Sequence, residues 1–593
     1  MSRNLFLIIA LLPSLVASLA WGADDEGPTK ADALALVKAL DEPISRRVAA
    51  LSLPYVDWRL KEAVPALIRA LDDPRAEVRM NCALALGQVG PHATPAAAAL
   101  IRILGDTQAE SEVRVAAASA LCRIGPGAKE AIPALVKALS DPDRAVRDKV
   151  AWQLGTFGPE ANEVVPALVK ALGDPDTYVN GCAYSLGTIG PEAKDAVPAL
   201  IKALGRGDLS LDAALYIGRA LAQISPGAKE TGPALVKALS DKGWRVRVGA
   251  VYGLGGITPA TPEAIQALAQ ALRDPHECVR HYAAKALGEI GPGAKDAVPE
   301  LITLISGPDA RPYRGGPLEA LGEIGPEARA AVPAIIPLLS RDEWTLREGA
   351  ANALGGIGSG AKEAVPALLK SLGDEHECVR GDAAMSLGSI GPVTKEVLPA
   401  LIKALDDPDV GVQKAAIYAL SRIGPEAKDA IPALSKALGG GDPGIAVPAA
   451  KALFAIRGEA KDAMPILLKA LALPHYEQGV RWEAADLLGR IGPDAKEAVP
   501  GLVKALGDRD PEMREYAAKA LGRIGPVTTE VIPALIDALD RPNDDVRDAA
   551  AEALGSMGSR AKEAIPPIEF LAEKDPDSSV RRTARDALEK IRK

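Results

Sequence analysis

A block of about 33 residues recurs along almost the whole chain, and it constrains the fold more than any other feature. One copy reads Gly-Pro-Glu-Ala-Lys-Asp-Ala-Val-Pro-Ala-Leu, from Gly190 to Leu200. The second proline of the block returns at steps of 32 to 35 residues, apart from one gap of two periods where Ile265 occupies its position. It stands at Pro133, Pro166, Pro198, Pro233, Pro299, Pro333, Pro366, Pro399, Pro432, Pro465, Pro500, Pro533 and Pro566. A short unit at a fixed period predicts a stack of like units that presents a long surface.

Each repeat carries two apolar patterns of helical period. The first, as at residues 193–204, predicts a helix that the recurring proline bends. The second, Val-Arg-x-x-Ala-Ala-x-x-Leu-Gly-x-Ile, occurs at 279–290 and 379–390. An Asp-Pro-Asp turn such as 141–143 joins the two helices, and we expect its aspartate to cap the second helix with proline as the first helical residue. The Gly-Pro that follows ends the second helix, with glycine in the left-handed conformation.

Two antiparallel helices of this length cannot bury both faces alone, so neighbouring pairs must stack. We therefore predict an all-α fold, an α-solenoid of about 17 stacked antiparallel helix pairs that runs continuously over residues 23–593. Aromatic residues are only 3% of the chain and alanine is abundant, which suits closely packed helices. Irregular repeats rich in glycine and proline are expected near 306–317 and 439–448, either as hinges or as local kinks.

The first 22 residues have the pattern of a secretory signal peptide. Arg3 supplies a positive charge, an apolar run extends over residues 5–20, and small residues follow. We predict cleavage, export to the periplasm or the extracellular space, and no membrane span in the mature chain. An uncleaved anchor is the alternative, although the run is shorter than the about 20 residues that a spanning helix needs.

The charge of the chain bears on the class of ligand that it can bind, and its cysteine content bears on whether disulfides stabilise it. The net charge is −9 and basic residues form no stripe, which argues against nucleic acid as a ligand. The five cysteines are widely spaced and odd in number, so they do not indicate a disulfide framework. We expect a monomer that binds a protein or peptide.

The Asp-Pro turn, the Val-Arg pair and the Ala-Ala-x-x-Leu-Gly ending resemble HEAT repeats, and the Val-Pro-Ala-Leu and Gly-Pro spacing resembles their phycobilisome-lyase-like subclass. The resemblance covers nearly all of the mature chain and implies a binding scaffold. It also implies a structural ladder in which the turn aspartate pairs with the arginine after valine. The matching arginines are Arg79, Arg114, Arg147, Arg247, Arg280, Arg347, Arg380, Arg481, Arg514, Arg547 and Arg581. Asn180, Gln413 and Ala446 stand at or near this position without its charge.

Metal and catalytic chemistry have weak support in the sequence. The triplets His276-Glu277-Cys278 and His376-Glu377-Cys378 contain possible zinc ligands, but they lie three repeats apart, and duplication explains their identity more simply. The repeats are also similar to deoxyhypusine hydroxylase, a HEAT-type di-iron enzyme whose ligands are His-Glu pairs after Val-Arg. The matching positions include His281-Tyr282 and Gly381-Asp382, so that ligand set is absent. We predict no catalytic residue, metal or cofactor.

Aromatic residues are few, yet several fall on outward positions of the predicted second helices. In this fold the second helices usually line the concave face, where Tyr and Trp serve as binding anchors. The alternative is that these rings fill gaps between alanines. The candidate partner-binding residues are Trp152, Tyr252, Tyr282, Tyr418, Trp482 and Tyr516.

Three hypotheses for function remain. The leading one is an exported, non-enzymatic repeat scaffold that binds protein or peptide partners along its concave face. The second is an enzyme or lyase-like subunit of the related HEAT groups. The third is a structural spacer in the cell envelope.

Overall fold

The computed structural model describes Ala39 and residues 61–157, 164–173, 179–225, 231–306, 316–391, 395–458, 463–473, 478–541 and 543–593. The predicted signal peptide lies outside these residues, as does most of the predicted first repeat and of the irregular segment at 306–317. No helix among the described residues is both long and apolar enough to cross a membrane.

Sixteen helix pairs follow one another between Val64 and Arg592, and the described residues contain no strand. Odd-numbered helices are the first and even-numbered helices the second of each pair. They are α1 Val64–Ala70, α2 Ala76–Val89, α3 Ala97–Gly105, α4 Ser111–Ile124, α5 Ile132–Ala138, α6 Arg144–Gln153, α7 Val165–Leu172, α8 Val179–Ile189, α9 Val197–Leu204, α10 Leu211–Ile224, α11 Gly232–Ala238, α12 Trp244–Gly255, α13 Pro262–Ala271, α14 Glu277–Ile290, α15 Val298–Ser306, α16 Pro317–Ile324, α17 Val332–Ile335, α18 Trp344–Ile357, α19 Val365–Ser371, α20 Glu377–Ile390, α21 Val397–Ala404, α22 Val410–Ile423, α23 Ile431–Leu438, α24 Pro443–Arg457, α25 Met464–Leu471, α26 Gln478–Ile491, α27 Val499–Ala505, α28 Pro511–Ile524, α29 Val531–Ala538, α30 Asp544–Ser556, α31 Ile565–Lys574 and α32 Ser578–Arg592. The predicted all-α solenoid of stacked helix pairs is confirmed.

The chain divides into two compact units. Unit 1 combines Met1–Ala196 with Leu467–Lys593, and unit 2 is Val197–Ile466. Within each unit, a second helix packs against the second helix of the next repeat, as α20 packs on α22 in unit 2. The alanine and leucine of the repeated pattern, such as Ala383 and Leu387, are buried between them. The small residues therefore let neighbouring helices approach closely, and each unit is held by the stacking of its repeats.

The recurring proline lies in the first turn of the first helix and does not bend it. Residues Gly125–Ala131 form a separate 3-10 turn, and Ala128 within it has non-helical angles of φ −115° and ψ 34°. Helix α5 then starts at Ile132, with Pro133 in its first turn. A first-turn N–H has no partner inside the helix, so proline loses nothing there. The prediction of one long, bent first helix is wrong for this reason.

The aspartate that caps the second helix is the third residue of the Asp-Pro-Asp turn, two positions later than the sequence predicted. Its third residue, Asp143, is the N-cap of α6, and its carboxylate accepts the N–H of Ala145 at 2.8 Å. The first, Asp141, accepts the N–H of Asp143 at 2.8 Å and so shapes the turn itself. Pro142 therefore lies outside the helix. This arrangement leaves the other oxygen lone pairs of Asp141 available to the preceding repeat.

The glycine that ends the second helix has a positive φ, as predicted, but not the left-handed helical conformation. Gly424, after α22, has φ 68° and ψ −137°. This region of backbone space is open to glycine and strained for residues with a side chain. Gly-Pro therefore turns the chain sharply into the 3-10 segment that follows.

The predicted irregularity at 439–448 does not interrupt the second helix. Helix α24 runs from Pro443 to Arg457 with Pro448 inside it. Asp442 caps it by accepting the N–H of Gly444 at 2.8 Å. Because proline has no N–H, one hydrogen bond is missing from the helix at Pro448.

The repeated arginine joins two repeats. Arg380 donates from Nε and Nη2 to the two carboxylate oxygens of Asp407, each at 2.9 Å. Its Nη1 donates at 2.9 Å to the carbonyl of Asp374, in the turn of its own repeat. This two-point geometry is the strongest form of arginine–carboxylate pairing.

The same ion pair recurs in both units. The pairs are Arg114–Asp141, Arg247–Asp274, Arg347–Asp374, Arg380–Asp407, Arg481–Asp508 and Arg547–Asp575. Arg79 pairs with Glu110, whereas Arg147, Arg280, Arg514 and Arg581 donate to carbonyls of their own turns. Gln413 keeps that last bond, with its amide donating to the carbonyl of Asp407 at 2.7 Å. The six Arg–Asp pairs join successive repeats, and at Gln413 the bond to the carbonyl of its own turn is kept without the charge.

The variant Asp407→Asn tests whether the ladder stabilises the fold, because the stability that the Arg380–Asp407 pair contributes depends on pH. The hydrogen bond from Arg380 lowers the pKa of Asp407 below its usual range. The pair therefore stabilises the fold fully above the unfolded-state pKa of about 3.9 and loses this contribution as the pH falls through the folded-state pKa. We expect the variant to be about 1–3 kcal/mol less stable than wild type at pH 7. When the pH is lowered below about 4, the variant should lose less stability than wild type, because it has no Asp407 carboxylate to protonate. Urea unfolding at several pH values measures this, and parallel pH profiles would contradict it.

Gly388→Ala tests the close approach of second helices. A Cβ at Gly388 would lie 2.5 Å from the Cα of Ala419 in the next repeat. We expect a loss of about 1–3 kcal/mol from overpacking. Gly381, on the same helix, is the matched control because its Cβ would meet Ala415 at an ordinary 4.0 Å. Gly381→Ala should be neutral or stabilise by up to about 1 kcal/mol through helix propensity. Thermal unfolding of the two variants separates the effects, and equal shifts would contradict the packing account.

Candidate functional site

The first aromatic pair lies in unit 1, on α6 and α8. The ring centroids of Trp152 and Tyr184 are 5.1 Å apart, with 42° between the planes. Both residues stand two positions before the leucine of the Leu-Gly motif, Leu154 and Leu186, which is buried. The ring two positions away points out of the packed stripe, and Tyr184 is 36% exposed. Successive repeats therefore present adjacent rings at one register.

A second pair in unit 1 lies on α26 and α28. The rings of Trp482 and Tyr516 are 6.1 Å apart and nearly parallel, at 14°. The indole Nε1 of Trp482 donates to Asp510 at 2.7 Å, and the same aspartate caps α28. Both rings are half-buried. The bond fixes the indole orientation while leaving part of its surface accessible to a ligand.

Unit 2 carries Tyr252 and Tyr282 on α12 and α14, with ring centroids 6.2 Å apart in an edge-to-face arrangement. Burial raises the pKa of Tyr282, so its hydroxyl is neutral at physiological pH and can donate a hydrogen bond. Further along the unit, Tyr418 on α22 is 43% exposed, and the guanidinium of Arg422 lies 5.9 Å from its ring centroid. These are the features of an amphipathic contact surface.

The structure adds two residues that the sequence interpretation missed, Tyr184 and Met385. Met385 on α20 is 37% exposed and stands at the same register as Tyr418, one repeat earlier. The signal was present in the sequence, because Trp152, Tyr184, Tyr252 and Met385 precede the leucine of Leu-Gly by two positions, and Tyr418 precedes the matching leucine, Leu420 of Leu-Ser, by two. We call the seven aromatic residues Trp152, Tyr184, Tyr252, Tyr282, Tyr418, Trp482 and Tyr516 the second-helix aromatic set. Its role in partner binding stays a prediction.

Unit 1 also contains a contact between distant repeats. The imidazole Nε2 of His92 lies 3.2 Å from a carboxylate oxygen of Asp540, and its ring stacks on Phe570 at 4.3 Å. Unit 1 also contains a cavity of about 530 Å³, whose lining includes Tyr184, Arg123, Asp544 and Arg581. The cavity wall therefore combines an aromatic ring with charges of both signs.

The two His-Glu-Cys triplets stand at the starts of α14 and α20. In each, histidine is the N-cap, and its Nδ1 accepts the N–H of the cysteine at 3.3 Å. His276 stacks on Trp244 at 4.1 Å, and His376 stacks on Trp344 at 3.8 Å. Histidine therefore has a structural role in both repeats, consistent with duplication.

The cysteines differ in their environments. Burial raises the pKa of both Cys122 and Cys182 to about 12, so these thiols are protonated and unreactive at neutral pH. Cys82 is buried as well, whereas Cys278 is partly accessible and Cys378 lies near the surface. The three buried thiols act as small apolar groups within the helix stack.

Comparison with known proteins decides the family. A family model for HEAT repeats matches residues 33–121, 106–187, 132–214, 197–278, 232–316, 265–332, 314–388, 332–421, 365–453, 398–478, 464–555 and 499–589. The chain belongs to the HEAT-repeat family. Among curated proteins, the comparison found no match.

Solved structures agree with this fold. Yeast importin-β (Kap95p) is similar over 100% of this chain and 91% of its own, at 15% identity and a TM-score of 0.57. The Kap95:Nup1 complex matches over 99% and 92%, at 15% identity and a TM-score of 0.59. At this identity the likeness establishes the HEAT solenoid fold alone.

Proposed function

We propose that this HEAT protein is an exported, non-enzymatic scaffold that binds a protein or peptide partner along the concave face formed by its second helices. The observation that carries the proposal is the exposure of Tyr184, Met385 and Tyr418 at one register of those helices. Rings that only filled gaps between alanines would be buried. Large apolar side chains kept accessible at one repeated position are typical of contact anchors.

The neighbouring charges support a partner that is itself amphipathic. Arg422 lies beside Tyr418, and the ion pair Lys519–Glu515 lies beside Tyr516. Aromatic anchors within a rim of paired charges are the usual composition of protein–protein contacts. Kap95 is a solenoid of similar fold that was solved in complex with Nup1, and we propose that this chain binds a protein partner in the same general way.

We also propose that the protein is exported and that its repeats belong to the phycobilisome-lyase-like subclass. The pattern of residues 1–22 supports a secretory signal, and hence a periplasmic or extracellular protein. The Val-Pro-Ala-Leu and Gly-Pro spacing supports membership of the phycobilisome-lyase-like subclass. The partner is then an exported or surface protein, and we expect the scaffold to bind it as a monomer.

Comparative affinity capture tests the function. Wild type, the double variant Tyr184→Ala/Tyr418→Ala and the control Val236→Ser are purified from the native host after mild cross-linking. Val236 is 37% exposed on a first helix and so matches the tyrosines in accessibility. The proposal expects a protein that wild type and Val236→Ser retain and the double variant loses. Equal recovery by all three would support a spacer, and a co-purifying chromophore or small molecule would support a lyase-like role.

A further inference from the structure

The triplet at 376–378 differs from its duplicate in what surrounds it. One ligand atom each from His376, Glu377 and Cys378 lies within 4.8 Å of the others. Among the described residues, this is the one group of three side chains close enough together to hold a metal ion. The ligand atoms of a tetrahedral zinc ion lie about 3.3–3.8 Å apart, given its bond lengths of about 2.0–2.3 Å. An ion would be enclosed by side-chain rotations that shorten these separations by about 1 Å and that either free Nδ1 of His376 from the N–H of Cys378 or present Nε2 instead.

Additional carboxylates lie around the triplet at 376–378. Glu348, Asp382 and Asp409 act electrostatically on Cys378, together with Glu377. The matching positions 100 residues earlier in the sequence are Val248, Tyr282 and Asp309, of which Asp309 lies outside the described residues. Duplication explains why the triplets are identical, but two of the three surrounding carboxylates, Glu348 and Asp382, have no acidic counterpart at the matching positions of the first copy. Arg380 interacts with Glu377 and Asp409 and offsets part of this negative charge, and a bound cation at the triplet would offset more of it.

We propose that His376, Glu377 and Cys378 form a binding site for a zinc-class divalent cation. A thiolate, an imidazole and a carboxylate are the donors that zinc accepts, and they suit calcium or magnesium poorly because those ions prefer oxygen alone. Glu348, Asp382 and Asp409 add negative charge around the site and can supply or orient a fourth ligand. The stacking of His376 on Trp344 holds the imidazole in place.

The duplicated triplet provides a matched control for each ligand. The full chain, freed of metal with a chelator, is titrated with Zn²⁺ by calorimetry and with Co²⁺ by absorption. The site predicts one saturable ion per chain and a thiolate-to-cobalt charge-transfer band. C378S and H376A should each weaken binding by about tenfold or more and abolish or shift that band. C278S and H276A should leave both readouts unchanged. H276A loses the same helix cap, so it controls for unfolding.

A second variant tests the surrounding carboxylates. E348V/D382Y gives the 376 triplet the neighbours of the 276 triplet, and we expect about tenfold weaker Zn²⁺ binding with the charge-transfer band retained. The proposal is overturned if no saturable site is found, if C278S weakens binding as much as C378S, or if the bound ions respond to neither. Affinity unchanged in E348V/D382Y would overturn the role of the carboxylates.

Discussion

Arg547→Ala should destabilise unit 1 by about 3–5 kcal/mol, the largest stability effect that we expect from a ladder substitution. The side chains of Arg547 and Asp575 are 2% and 0% exposed. Arg547 donates to both carboxylate oxygens at 2.7 and 2.8 Å and to the carbonyl of Arg541 at 3.0 Å. Removing the guanidinium leaves a buried carboxylate without its counter-charge, and the desolvation cost of that carboxylate is no longer offset. Chemical denaturation of the full chain measures the loss.

Arg102→Ala is the control for charge removal. Its ion pair with Asp72, also in unit 1, is largely exposed, so the change should stay within about 0.5 kcal/mol. A double variant, Arg547→Met/Asp575→Leu, should recover much of the stability because an apolar pair of similar volume needs no counter-charge. A loss at Arg547→Ala no greater than at Arg102→Ala would show that the buried rung does not stabilise the stack.

Trp482→Ala should weaken binding to the partner recovered by affinity capture by about 30-fold or more, which corresponds to about 2 kcal/mol. Tryptophan contributes the largest contact area of any anchor, and the bond to Asp510 fixes its ring before binding. Trp482→Phe should lose less, since it keeps an aromatic surface. Titration calorimetry with the purified partner measures the affinities.

Trp244→Ala is the matched control for losing an indole. Trp244 begins α12, stacks on His276 and does not belong to the second-helix aromatic set. Its removal should leave partner affinity within about threefold of wild type. Affinity that falls equally in the two variants would place the contact elsewhere or indicate a general loss of structure, which thermal unfolding of each variant distinguishes.

The repeat predicted the fold well because its pattern occurs many times. A wrong interpretation of one repeat is therefore corrected by comparison with the others. What the period could not predict were boundaries that depend on a few dihedral angles. Pro133 was expected inside a bent helix and instead lies in the first turn of α5, because the break falls at Ala128, an ordinary residue. Asp143, not Asp141, caps α6, since only the folded turn decides which carboxylate reaches the helix N–H groups.

The candidate site was predicted only in part. The sequence placed Trp152 and Tyr418 on outward positions of second helices, but Tyr184 and Met385 were missed although they share that register. Pairings such as Trp482 with Tyr516 depend on the rotation between successive repeats, which one-dimensional spacing does not contain. The same holds for the carboxylates around Cys378, which come from three different repeats.

Site-specific photo-cross-linking in the native host tests most directly whether the second helices bind the partner. A photoreactive phenylalanine analogue is placed singly at Tyr184, Tyr418, Val236 or Val527. These four positions are 36%, 43%, 37% and 39% exposed, but the two valines lie outside the second helices. Binding along the second helices predicts one shared cross-linked partner from Tyr184 and Tyr418 and none from the valines. Cross-links to that partner from Val236 and Val527, with none from the tyrosine positions, would contradict it.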